Sequence, residues 1–390
     1  MRMTILAVLL LVLGAAPAIA APPSIQLAHD AEARWVSFDL TPGNQIRFHM
    51  EVNGKPATAI LDTGVSVSVA SAKFARTAGL RISAKSEADA IGGNVAIGWA
   101  APRAIELGGL KRKGGRIAVA DLTAMATGSA TPVDMLIGSD ILSCCAIDID
   151  YDARRFRILP SGRMPFRGVS APLSLSRGSK VYVSELTLGR QHIKPVLVDT
   201  GDGAAVTVTQ STWKKSGLKP KAVTSAVAYG LGGPIETRLT ILPELHVDGL
   251  TAHNVELRIE DDMGFSTKTG TLGRIGSAFL QRYRVLLDPH AGHIVFRPGK
   301  KVDEVPIRST SGLLVGLDRD RLRVLHVMKN SPAAHDGWQD GDTICRVDGS
   351  PIAGNGLSAD TSWSAGPPGE VVKLGMCDGT KRALTLAQFY

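Results

Sequence analysis

Thr58-Ala59-Ile60-Leu61-Asp62-Thr63-Gly64 and Pro195-Val196-Leu197-Val198-Asp199-Thr200-Gly201 carry the same tripeptide, Asp-Thr-Gly, at the end of two apolar, strand-like runs. Their surroundings also match. Gly79-Leu80 corresponds to Gly217-Leu218, Leu136-Ile137-Gly138-Ser139 to Arg274-Ile275-Gly276-Ser277, and Ile149-Asp150 to Leu287-Asp288, all at a nearly constant offset. A repeat held over four landmarks indicates that residues 45–160 and 181–298 are one unit written twice.

Each unit predicts the same order of elements. A hairpin comes first, Gln45 to Val52 and Thr58 to Leu61 around Asn53-Gly54, a dipeptide suited to the positive φ of a tight turn. Its second copy runs from Val181 to Leu188 and from Pro195 to Val198. Asp-Thr-Gly follows, then a short strand and a short helix ending at Gly79 or Gly217, read as C-cap glycines. Glycine-rich hairpins come next, at Ile91 to Ala100 and Ala228 to Glu236. Each unit closes on Ile-Gly-Ser, a helical turn and a last hairpin. The composition agrees with turn-rich β structure: of 390 residues, 42 are Gly and 21 Pro, with 5 % aromatic and 44 % hydrophobic.

The chemistry follows from the two aspartates. A carboxylate at the end of a buried strand is costly without a partner or a use. Two of them in matching halves can face each other and share one proton, because like charges so close cannot both ionise. The ionised member then takes a proton from a water between them, and the protonated member hydrogen-bonds the carbonyl under attack. The glycine-rich hairpins, with Gly92 and Gly93 in one and Tyr229 and Gly230 in the other, are candidate flaps over such a site, and Trp99 and Tyr229 are candidate lid aromatics. Other schemes find no support. Ser139 and Ser277 lack the Gly-x-Ser-x-Gly elbow, no His-Glu-x-x-His occurs, and no phosphate loop follows the glycines. The formal charge of +8 is spread thinly, with Lys111-Arg112-Lys113 the one dense basic run, so no nucleic-acid face is expected.

Both halves resemble the retropepsin-like aspartic peptidases, whose loop is Asp-Thr-Gly, a small residue and Ser, here Asp62-Thr63-Gly64-Val65-Ser66. An apolar-apolar-Gly element crosses behind that loop in the family. Leu136-Ile137-Gly138 matches it, and Leu272-Gly273-Arg274-Ile275-Gly276 matches less well. The resemblance implies catalytic roles for Asp62 and Asp199. It implies that Thr63 and Thr200 hydrogen-bond across the lobes, that Gly64 and Gly201 let the backbone pass close, and that Ser66 binds the outer oxygen of Asp62. The second loop departs from the pattern, with Asp202 where a small apolar residue is preferred and Gly203 in place of Ser or Thr.

Residues 324–352 resemble the PDZ domains of exported bacterial proteases through Ser331-Pro332-Ala333-Ala334, Gly337-Trp338, Gly341-Asp342-Thr343-Ile344 and Val347-Asp348-Gly349. In that family a peptide C-terminus adds as a strand. Ser311 with Gly312, Leu313, Leu314 and Val315 matches the receiving loop and strand, and the helix beside the groove is expected near Leu357 to Ser364. A packing role against the second lobe is the alternative. At the other end, Arg2, the apolar run Ile5 to Leu13 and Ala18-Ile19-Ala20 read as a signal peptide, and no stable membrane span is expected. Cys345 and Cys377 either pair in an oxidising compartment or serve as small buried residues. Adjacent Cys144 and Cys145 are not expected to pair with each other.

The resulting expectation is an all-β dominated, bilobal pepsin/retropepsin-like protein of the acid protease β-barrel fold with a C-terminal PDZ domain. Its parts are a signal peptide at 1–20, lobe 1 at 31–160, a linker at 161–178, lobe 2 at 179–298 and the PDZ domain at 306–390. The resemblance implies an exported aspartic endopeptidase, periplasmic or secreted, acting on peptides or unfolded protein. It implies no metal or other cofactor and no dimer for the active site. The alternative is a peptide-binding protein that kept the cleft and lost turnover.

Overall fold

Alternation shapes the first lobe. Along strand Ile46–Val52, Ile46, Phe48, Met50 and Val52 are buried, and the residues between them face outward. Asn53 and Gly54 take positive φ and turn the chain into strand Lys55–Leu61, which pairs antiparallel with it. The computed structural model describes residues 22–122, 132–352 and 361–390. The signal segment at 1–20 and residues 357–360 of the expected groove helix lie outside them. Among the described residues, no helix is long and apolar enough to cross a membrane.

The two units repeat this layout. Ser71 caps helix Ala72–Thr77 by accepting a hydrogen bond from Phe74 N, and Thr209 caps helix Gln210–Ser216 through Thr212 N. Gly217 closes the second helix in the left-handed conformation. Strands Lys55–Leu61 and Gln191–Asp199 each pair in parallel with a short inner strand, Met135–Ile137 and Gly273–Gly276 respectively. One apolar core runs through both lobes, and Phe48 meets Phe156 edge-on at 5.0 Å inside it.

The expectation of β-barrel lobes is corrected here. Among the described residues, the first lobe belongs to an open sixteen-stranded sheet, whose path ends at strands Val169–Pro172 and Ile82–Ala90 with no pairing between those ends. Closure needs hydrogen bonding that runs all the way round. In the second lobe, strand Gly233–Val247 is continuous over 15 residues and reaches strand Tyr182–Leu188 through the pair Thr187–His246. Its counterpart in the first lobe breaks into Gly93–Ala100 and Ala104–Leu107. The last hairpins also pair with each other, Ile147 opposite Leu287 and Ile149 opposite Val285, so those strands bind the halves together. Residues 161–178 join this system: strand Val169–Pro172 lies against strand His293–Pro298.

A buried ion cluster sits on this shared sheet. Asp148 is fully buried and accepts from Arg157 Nε at 2.9 Å and from Arg284 Nε and Nη2 at 2.8 and 2.7 Å. Trp35 lies under Arg155, Arg157 and Arg284. Residues beyond 312 form a separate six-stranded sheet with its own core, including Leu322, Trp338, Ile344 and Leu384. Ser331 caps its helix Pro332–His335, and a disulfide joins Cys345 to Cys377. Contrary to expectation, Cys144 and Cys145 are also bonded to each other, in the turn that ends helix Ser139–Leu142, where their Cα atoms are 3.7 Å apart.

Asp148→Ala strands two arginines around an emptied acceptor. It should lower unfolding stability by about 3 kcal/mol in urea titrations. A loss below about 0.5 kcal/mol, the range of an ordinary surface change, would show that the cluster does not hold the lobes together.

Candidate active site

Strands Lys55–Leu61 and Gln191–Asp199 deliver the two Asp-Thr-Gly loops to the same place. Thr63 N donates to Thr200 Oγ1 and Thr200 N donates to Thr63 Oγ1, each at 3.1 Å. Each hydroxyl then donates to the strand of the other lobe, Thr63 Oγ1 to Val198 O at 2.6 Å and Thr200 Oγ1 to Leu61 O at 2.7 Å. Both threonines are completely buried, so these bonds are made without competition from water.

The glycines do the steric part. A Cβ on Gly64 would collide with the carboxylate of Asp199, and one on Gly201 with that of Asp62. Each carboxylate is therefore seated against the other loop. Behind the loops, a Cβ on Gly138 would come within 2.7 Å of Val65 O, and one on Gly276 within 2.6 Å of Asp202 O. The Ile-Gly step thus lets the inner strand cross tightly behind each loop.

The carboxyls of Asp62 and Asp199, each seated against the other's loop, lie near enough for the charge of Asp199 to act on Asp62. Burial, then the charge of Asp199, pushes Asp62 well above the usual carboxylate range, against the N–H groups of Gly64 and Val65. Asp199 is pushed up to about 6 by burial and then by the negative charge of Asp202, opposed by Arg274 and the N–H groups of Gly201 and Asp202. Both carboxyls are thus raised, the condition under which one proton can be held between them.

The departures in the second loop have physical reasons. Asp202 points inward to Arg274, whose Nε donates to it at 2.9 Å. Arg274 Nη1 also donates to both oxygens of Glu260, at 3.1 and 3.0 Å, and to Ser266 Oγ at 2.9 Å. Burial would raise Asp202, but Arg274 and the Ala204 N–H outweigh it and hold it below the usual range. Gly203 has no room for a side chain, because a Cβ there would overlap the carbonyl of Gly43. Asn44 Nδ2 donates to Gly203 O at 3.1 Å and Gln45 Nε2 to Gly201 O at 2.7 Å, so the first lobe braces the second loop directly.

Above the aspartates lies a cavity of about 620 Å³, lined by both loops and both glycine-rich hairpins. The hairpins meet at their tips, where Gly232 N donates to Ile91 O at 2.9 Å. Side chains on Gly92, Gly230 or Gly232 would collide with the opposing tip. Gly92, Gly93 and Gly230 sit at these turns, whereas Trp99 and Tyr229 line the cavity. Trp99 Nε1 donates to Ser86 Oγ at 2.9 Å. Ser66 also lines the cavity, yet among the described residues its hydroxyl does not reach Asp62; its carbonyl accepts from Ser139 Oγ. The donors to Asp62 are backbone N–H groups instead.

The packing of the C-terminal unit against the second lobe, the alternative role read from the sequence, falls on the second hairpin. The second hairpin is held by the C-terminal unit: Thr224 Oγ1 donates to Lys329 O at 2.7 Å, and Ser225 Oγ meets His326 Nε2 at 2.7 Å. Met328, Phe389 and Tyr390 pack on Ala226 and Leu239. In the proposed peptide-receiving loop, Gly312 N donates to Ser309 Oγ and Leu313 N to Ser311 Oγ, so both are already engaged. Leu313 is buried, and Leu314 and Val315 lie on an edge strand with a bulge between them. The signal for Arg274 and Glu260 was available: Arg274 stands where the first copy has Leu136 in an otherwise apolar strand, and such a cation demands a buried counterion.

A family model described as Aspartyl protease matches residues 48–141 and again 183–275. The chain carries an aspartyl protease domain twice. The two matches take in both Asp-Thr-Gly loops and both glycine-rich hairpins of this retropepsin-like pair. No curated protein matches the chain.

The raised carboxyls set the sign of a pH effect. Asp199 moves from 3.8 to about 6, so the folded chain holds this proton more tightly than the unfolded one. Its stabilising contribution is fully present below about pH 4 and is lost as pH rises through about 6. Melting temperatures should therefore fall over this window more steeply for the wild type than for Asp199→Asn. Parallel profiles would contradict the shift.

Proposed function

We propose that the two aspartyl protease domains form one site that hydrolyses peptide bonds. Asp199, ionised, removes a proton from a water held between the carboxyls. Asp62, protonated, donates a hydrogen bond to the carbonyl oxygen of the scissile bond. The water oxygen adds to the carbonyl carbon, and the tetrahedral intermediate collapses as the proton passes to the leaving amine. The observation that carries this is reciprocal: each carboxylate lies against the glycine of the other loop, at the floor of a cavity roofed by two hairpins. An extended peptide fits such a cleft by hydrogen-bonding to hairpin backbone. Because both loops belong to one chain, a second copy is not required.

The remaining parts complete the proposal. The six-stranded C-terminal unit is a PDZ domain, supported by its Ser331-capped helix and by the edge position of strand Leu313–Asp318, to which a peptide C-terminus could add. Export to the periplasm or beyond rests on the residues read as a signal peptide and suits the Cys345–Cys377 disulfide.

Casein-type substrates assayed across the acidic to neutral range test the chemistry. Asp62→Asn and Asp199→Asn should each abolish cleavage, with a loss of about 10³-fold or more. The acid limb of the wild-type profile should lie near pH 6, and Asp202→Asn should move it to lower pH by removing a negative charge beside Asp199. Undiminished cleavage by either Asn variant would refute the dyad.

A further inference from the structure

The duplication allows the two walls of the cleft to be compared position by position. In the first lobe, hydrogen-bonded register lines up Leu136, Val69, Ala118 and Trp99 across four neighbouring strands. All four face the cavity, and the wall is apolar. In the second lobe the equivalent row is Arg274, Thr207, Arg258 and Leu239. Its first three members face the same cavity. Apolar side chains at three positions have thus been replaced by two guanidinium groups and a hydroxyl.

These polar groups differ in what they still offer. Arg274 is committed to Asp202, Glu260 and Ser266. Arg258 uses only its Nε, which donates to Glu256 at 3.1 Å, and its two terminal nitrogens have no partner among the described residues. Thr207 is 1 % exposed, and its Oγ1 has no hydrogen-bond partner. A buried hydroxyl left unpartnered beside a cavity is costly unless a ligand supplies the missing bond. A guanidinium edge next to such a hydroxyl matches a carboxylate, which accepts two parallel N–H bonds and an O–H bond. The other charged groups on the cavity wall are Asp62 and Asp199, Asp202, which is bound to Arg274 and also feels the charge of Arg258, and Glu87 and Asp89 of the first hairpin, of which Asp89 faces Lys268 at 3.8 Å.

We propose that the cleft is chemically two-sided: the first lobe receives an apolar side chain of the substrate, and the second receives an aspartate or glutamate, held by Arg258 and Thr207. The substrate class is then peptides with an aliphatic or aromatic residue on one side of the dyad and an acidic residue on the other. This deepens the proteolytic proposal and rests on it for the identity of the ligand as a peptide.

The test reads binding separately from turnover. Fluorescent peptides carrying Leu-Leu, Leu-Glu or Glu-Leu at the central pair are titrated into the Asp62→Asn protein by anisotropy, and the same peptides are given to the wild type for cleavage. One of the two Glu-containing orders should bind about tenfold or more tighter than Leu-Leu. Adding Arg258→Leu should bring that ratio to about 1 or below, Arg258→Lys should keep part of it, and Thr207→Val should reduce it. Equal binding of all three peptides, or a preference that survives Arg258→Leu in a protein with an unchanged melting temperature, would overturn the proposal. A preference that follows Arg258 without any wild-type cleavage would support the pocket and count against proteolysis alone.

Discussion

Four hydrogen bonds between two buried threonines and the opposing loops decide where everything else in this protein can be. Thr63 and Thr200 each receive a backbone N–H from the other and give their hydroxyl proton to the other lobe's strand. Neither loop can move without breaking bonds that water does not replace. Burial raises both carboxyls that follow from this placement above the ordinary range, helped by the charge of Asp199 at Asp62 and by that of Asp202 at Asp199. The closeness of the two carboxyls is thus a consequence of a structural lock.

The lock is nearly symmetric and the chemistry around it is not. In the first lobe, Ser68 Oγ donates to Asp140, which binds Arg112 at 2.9 Å. In the second, the acid has moved into the loop itself as Asp202, and Arg274 ties it to Glu260. Both lobes thus brace their loop with an arginine–carboxylate pair, built from different positions. The asymmetry gives the two aspartates different surroundings, with Asp202 and Arg274 acting on Asp199. The hairpins share it: both reach the roof of the cavity, and among the described residues the C-terminal unit grips the second, through Thr224, Ser225 and Ala226.

Much of this was legible in the chain because duplication leaves landmarks in register. The Asp-Thr-Gly loops, the Asn53-Gly54 turn, the Gly217 cap and the hairpin glycines all reflect local rules of backbone conformation. What could not be read was non-local. Openness of the first sheet depends on a strand that breaks between Ala100 and Ala104, where the second lobe continues. Gly203 looked like a lost hydroxyl, but it is the only residue that fits beneath Gly43. Cys144 and Cys145 bond as neighbours in the turn after a short helix, which spacing alone argued against. The role of Arg258 emerges only when strand register places it opposite Thr207.

The central claim is that Asp62 and Asp199 behave as one titrating unit. Carbon-13 NMR of the two side-chain carboxyls, followed through a pH titration, tests it most directly. The account predicts that both signals respond at two shared steps above the ordinary value of 3.8, and that Asp199→Asn leaves Asp62 a single step at lower pH. Two independent one-step titrations near 3.8 would contradict it.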